Sequence, residues 1–76
     1  MSGRSSAGVE TIRLMVNGET VEARTSTLAA LLVEFGYGGQ KVATAVNGDF
    51  VPERERGAAA LQPNDQIEIV APRQGG

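Results

Sequence analysis

Ile12, Leu14 and Val16 alternate with Thr11, Arg13 and Met15, the two-residue period of a strand that buries one face. Asn17-Gly18 breaks the alternation, and Val21 and Ala23 resume it. Both central positions of a type I′ turn need positive φ, which Asn-Gly supplies readily, so the chain is predicted to open with a β-hairpin. Between Arg24 and Gly36 the period changes. Leu28, Leu31, Leu32 and Phe35 stand at i, i+3, i+4 and i+7, which puts all four on one face of a helix. Thr25 or Ser26 is suited to cap its start and Gly36 to stop it. At about 9 residues such a helix is marginal alone, so its apolar face needs a sheet to pack against.

Beyond the polar stretch Gly36 to Lys41, the run Val42-Ala43-Thr44-Ala45-Val46 reads as a strand with few polar positions, expected at the centre of the sheet. Asn47-Gly48 repeats the hairpin signal, and Phe50-Val51 makes a brief strand that Pro52 ends. Glu53, Arg54, Glu55 and Arg56 form an alternating charge run, read as a solvated segment. One helical turn is expected over Ala58 to Leu61, then a turn at Pro63-Asn64-Asp65 and a last alternating strand over Gln66 to Val70. The order is strand, strand, helix, strand, short strand, strand, an α+β arrangement with one main helix to cover a sheet of four to five strands.

The ends do not follow either period. Residues 1–10 are polar, rich in Gly and Ser, and lack the apolar core of a secretory signal, so they are expected to be a disordered leader. Residues 11–70 form the domain, and 71–76 a flexible tail that finishes in Gly75-Gly76. Seventy-six residues allow one domain.

Composition then removes most chemistries. Without cysteine or histidine there is no thiol nucleophile, no Ser-His couple, no zinc finger and no disulfide framework. No catalytic side chain and no metal site is expected. Seven basic and nine acidic residues give a formal charge of -2, and the aromatics are only Phe35, Phe50 and Tyr37. A nucleic-acid partner is not expected from such a balance. No apolar run nears the roughly 20 residues of a spanning helix. The chain is expected to be cytoplasmic and monomeric when free.

Four segments carry a resemblance. They are Val16-Asn17-Gly18-Glu19, Thr27-Leu28-Ala29-Ala30-Leu31-Leu32, Ala45-Val46-Asn47-Gly48 followed by Phe50-Val51-Pro52, and Asp65-Gln66-Ile67-Glu68-Ile69-Val70 leading to Gln74-Gly75-Gly76. In this order they resemble the ThiS family of sulfur carriers. The resemblance implies a β-grasp, ubiquitin-like fold with a mixed sheet. It also implies a carboxylate on Gly76 that a ThiF-like adenylyltransferase activates with ATP and a sulfur donor system converts to a thiocarboxylate. A ThiG-like thiazole synthase would then take the sulfur into the thiazole of thiamine. Gly75 and Gln74 would thread the partner's active site, and no cofactor would be bound by the carrier itself. Members of the family commonly place Arg directly after Val-Pro and a bulky aromatic a few residues on. This chain has Glu53 and Arg54 there, with Gly57 and alanines near the aromatic position.

Such chemistry suits the tail. Six residues follow Val70, and at about 3.3 Å each they reach roughly 20 Å. Glycines at its end pass constrictions that a Cβ would block. Three other functions stay open: a carrier for molybdopterin, cysteine or thiosugar synthesis; a ubiquitin-like modifier, limited by a single lysine, Lys41; and a β-grasp interaction module.

Overall fold

The computed structural model describes residues 11–71. The expected leader over 1–10 and the tail residues 72–76 lie outside the described residues. Strands β1 (Ile12–Val16) and β2 (Glu19–Ala23) form the opening hairpin, with Leu14 facing Val21 across the ladder. Its turn has φ of 52° at Asn17 and 85° at Gly18, the doubly positive geometry that the Asn-Gly pair predicts. The second pair repeats it, with φ of 52° at Asn47 and 88° at Gly48 between β3 (Ala43–Val46) and β4 (Asp49–Val51).

Helix α1 spans Leu28–Glu34. Its cap is Thr27, whose hydroxyl oxygen accepts from the Ala30 N–H at 3.3 Å, so the cap lies one residue beyond Ser26 and two beyond Thr25, the expected candidates. The Leu28 N–H, which has no partner inside the helix, donates to the Ala59 carbonyl at 3.0 Å. At the other end Gly36 has φ of 89°. Tyr37 N–H donates to Leu32 O at 2.7 Å and Gly36 N–H to Val33 O at 3.1 Å, the paired bonds of a Schellman stop. Leu28, Leu31 and Leu32 are buried as the stripe predicts, and Phe35 packs at its margin.

Five strands make one sheet in the order β2-β1-β5-β3-β4, where β5 is Gln66–Val70. The first and last strands are parallel neighbours, and the other pairs are antiparallel. This is the mixed β-grasp sheet that the resemblance implies. The strand expected at the centre, β3, lies inside the sheet but next to the edge, and β5 holds the middle. Composition misled here because β3 buries only one face: Thr44 is buried while Ala43 is exposed, and the alanines read as apolar without being covered. One face of the sheet carries Leu14, Val16, Ala23, Ile67 and Ile69 against the helix leucines and Leu61. Leu14, Leu28, Leu31 and Ile67 are almost wholly buried, each contributing about 1.5–3 kcal/mol of hydrophobic stabilisation.

The charge run Glu53 to Arg56 also differs from the solvated segment expected for it. Glu53–Ala58 is a 3₁₀ helix, earlier than the turn expected over Ala58 to Leu61, and Arg56 within it is 9% exposed. Its Nε donates to Thr44 Oγ1 at 3.1 Å and its NH2 group to the Val42 carbonyl, while the Thr44 hydroxyl donates to Val51 O at 2.8 Å. Arg56 therefore fastens the segment after β4 onto β3. The bulky inward side chain of this segment is an arginine, not an aromatic. Alternating charge suggested solvation, but a three-residue repeat turns only one of the four residues inward. Arg56→Ala is expected to leave the Val42 carbonyl and Thr44 Oγ1 short of partners and to lower stability by about 1–3 kcal/mol, measured by urea unfolding. Arg54→Ala, on the exposed side, serves as the control.

Candidate functional site

Gly76, Gly75 and Gln74, the residues expected to carry the chemistry, lie outside the described residues. What the structure places is the root of their tail. β5 ends at Val70, and Ala71 follows it, exposed and outside any regular element. The root leaves from the middle strand, held on both sides. On one side Ala43 stands opposite Val70. On the other, β1 pairs with β5 only at Met15–Gln66 and Val16–Ile67 before the chain turns away.

Two asparagines outside the expected site hold the two ends of β5. Asn17 Oδ1 accepts from the Ile69 N–H at 2.8 Å, and its Nδ2 donates to the Ile69 carbonyl at 3.2 Å. Asn47 Oδ1 accepts from the Gln66 N–H at 2.9 Å, and its Nδ2 donates to Asp65 Oδ1 at 2.9 Å. Turn geometry accounts for Asn at both places in the sequence, and that sufficiency conceals the second role. Their long-range bonds have no local signal.

Among the described residues nothing covers the sheet face opposite the helix, and that face is uneven. Residues directly across a ladder share a face. On the β1–β2 side this face bears Arg13 opposite Glu22, an exposed pair at 3.7 Å that is worth little. On the β3–β4 side it bears Phe50 opposite Ala45 and Ala43 opposite Val70. Phe50 is 68% exposed and Val70 61%. An apolar strip thus runs from the β4 edge to the residue from which the tail departs, and Glu68 is the one charge of β5 on this face. Such an exposed aromatic is the informative kind of surface hydrophobe.

Among the described residues, no cluster of His, Cys, Asp or Glu could hold a metal ion, and no helix is long and apolar enough to cross a membrane. The described part offers a rigid mount, an apolar strip and an exit point.

Comparison with known proteins agrees with that geometry. A solved structure of a thiamine biosynthesis protein (ThiS) from Geobacter metallireducens superposes with a TM-score of 0.72 at 20% identity, covering 86% of this chain and all of that one; at that identity it speaks for the fold. The thiazole synthase of Paramagnetospirillum magneticum is 38% identical over 61 residues, 79% of this chain and 19% of that protein. The thiazole synthase of Magnetococcus marinus is 38% identical over 60 residues, 78% of this chain and 18% of that protein. This chain thus spans less than a fifth of the length of these curated relatives. The ThiS family model matches residues 9–76, from just before β1 through the Gly-Gly pair, and the chain belongs to the ThiS family of small sulfur carriers.

Proposed function

We propose that this protein carries sulfur on the carboxylate of Gly76 and delivers it to thiazole formation in thiamine biosynthesis. The match of the family model through Gly75-Gly76 is the observation that carries this proposal. A carboxylate is a poor electrophile. A ThiF-like adenylyltransferase would join it to the α-phosphate of ATP with loss of pyrophosphate, and a sulfur donor would then displace AMP to leave the thiocarboxylate. The carrier contributes the acid, the reach and the recognition surface, and the enzymes contribute the catalysis. A ThiG-like thiazole synthase is the proposed acceptor. Support for it comes from the relatives named thiazole synthase, in which a segment like this chain is part of the same polypeptide. On this reading the carrier meets these partners in the cytoplasm.

The apolar strip Phe50, Ala45, Ala43 and Val70 is the proposed dock for the adenylyltransferase. An enzyme that draws in the tail must sit beside Ala71, and the strip ends at Val70 next to it. Phe50→Asp is expected to raise KM for the carrier in pyrophosphate release by about tenfold or more. Its melting temperature should change little, because Phe50 is 68% exposed. An unchanged KM would move the dock elsewhere.

The direct test incubates the chain, ending at Gly76, with the adenylyltransferase of the same cell, ATP and a sulfur donor, then reads the intact mass. Replacement of one terminal oxygen by sulfur supports the carrier role. A mass that stays constant with a competent enzyme removes it. Transfer to thiazole synthase, compared with a molybdopterin-forming acceptor, decides the pathway.

A further inference from the structure

We infer that Asn17 is a positioning residue for the tail. Its side chain completes the sheet beside Ile69 and so fixes where the chain leaves the domain; the functional part of this inference rests on the carrier role proposed above.

The geometry follows from the ladder. β1 and β5 are parallel, and their bonds advance two residues at a time: Met15 N–H donates to Asp65 O at 3.0 Å and Asn17 N–H to Ile67 O at 2.9 Å. The next rung would have to come from the backbone of Asn17 and the residues after it. There the chain has already turned, with Asn17 at φ 52°, and β2 runs back along the far side of β1. Ile69 would be left with its N–H and C=O facing an empty lane. The Asn17 side chain fills that lane. A primary amide presents the same acceptor and donor as a peptide group, and here it meets both backbone groups of Ile69, at 2.8 and 3.2 Å. Asn17 thus serves the hairpin with its backbone and β5 with its side chain. No other residue combines tolerance of positive φ with a peptide-like amide on so short a stem.

Consequences reach the exit point. Without this rung Ile69 would lose both of its bonds, and the end of β5 would be held only by Glu68 and Val70 on the β3 side, so it would fray. Val70 belongs to the apolar strip, and Ala71 begins the tail. A partner would then have to order the strand end when it binds, which weakens binding and leaves the later chemistry alone.

Asn17→Gly is the variant that tests this, because glycine keeps the turn conformation while it deletes both bonds. Asn47→Gly is the matched control, since it removes the corresponding amide at the opposite end of β5, next to Gln66. In Asn17→Gly the amide of Val70 should exchange with solvent about tenfold faster or more, while in Asn47→Gly it should keep its protection relative to the core amides. KM for the carrier in adenylation should rise about threefold to tenfold in Asn17→Gly alone, with kcat nearly constant. Asn17→Asp retains the acceptor for the Ile69 N–H without the donor and should fall between. The inference is overturned by an unchanged Val70 exchange rate, or by equal KM values for the two glycine variants, which would reduce Asn17 to a general stabiliser. Should the unaltered chain never be adenylated, the carrier role itself fails, and Val70 exchange by itself decides whether the tether exists.

Discussion

Deletion of Gly75 and Gly76 is expected to leave the melting temperature of the domain unchanged and to abolish loading of sulfur altogether. The two halves of that expectation have separate physical grounds. Folding should be indifferent, because the buried core of the described residues runs from Leu14 to Ile69 and the deletion begins well past it. Loading should vanish, because shortening by two residues withdraws the carboxylate by about 7 Å, far more than an active site tolerates. Gly76→Ala is a milder form of the same test. It leaves the reach intact and adds a Cβ at the reacting end, and a misplacement of that size typically costs about a hundredfold in rate. Adding one residue after Gly76 should also stop the reaction, since the acid is then in the wrong place. Intact mass and pyrophosphate release read all three. Normal loading of the shortened chain would overturn the assignment of the chemistry to Gly76, and an unaltered cellular role without any loading would leave a β-grasp interaction module as the better description of this protein.

The second large effect concerns what holds the mount rigid. Leu31→Ala should cost about 3 kcal/mol, and a domain of this size has only about 5 kcal/mol to lose. Leu31 is completely buried at the centre of the one covered face, and the seven-residue helix that carries it has no means of persisting without its packing. Val33→Ala, two residues away on a side chain 70% exposed, should shift stability by no more than about 0.5 kcal/mol. Urea unfolding followed by circular dichroism distinguishes the two. Similar losses at both sites would mean that the helix does not face the sheet as described.

Elements with a strong local cause are legible in the amino-acid sequence. The two Asn-Gly turns, the Leu28, Leu31, Leu32 stripe and the Gly36 stop all depend on residues within a few positions of one another, and each stands where its pattern predicts. Features that depend on distant partners are not. Strand order could not be read from β3, whose alanines look buried and are partly bare. Arg56 looked solvated because its hydrogen-bond partners, Thr44 and the Val42 carbonyl, are 12 and 14 residues away. Asn17 and Asn47 were explained fully by their turns, so nothing in the sequence asked for the bonds to Ile69 and Gln66. The candidate site divides in the same way. Its chemistry could be proposed from Gly75-Gly76 together with the family resemblance, whereas the strip from Phe50 to Val70 appears only once the ladder places Ala45 and Ala43 between them.

The place of β5 has a bearing on how the protein is made. Of the five strands, the one that comes last in the sequence is the one in the middle of the sheet, with β1 on one side and β3 on the other. Until Val70 has cleared the ribosome, β2-β1 and β3-β4 are two separate hairpins, and neither is stable by itself. Nascent residues 11–65 should therefore stay unfolded and open to proteases, then close in a single step as β5 slots between the two pairs. For a protein built this way, the exit point of the tail and the completed fold come into being at the same moment.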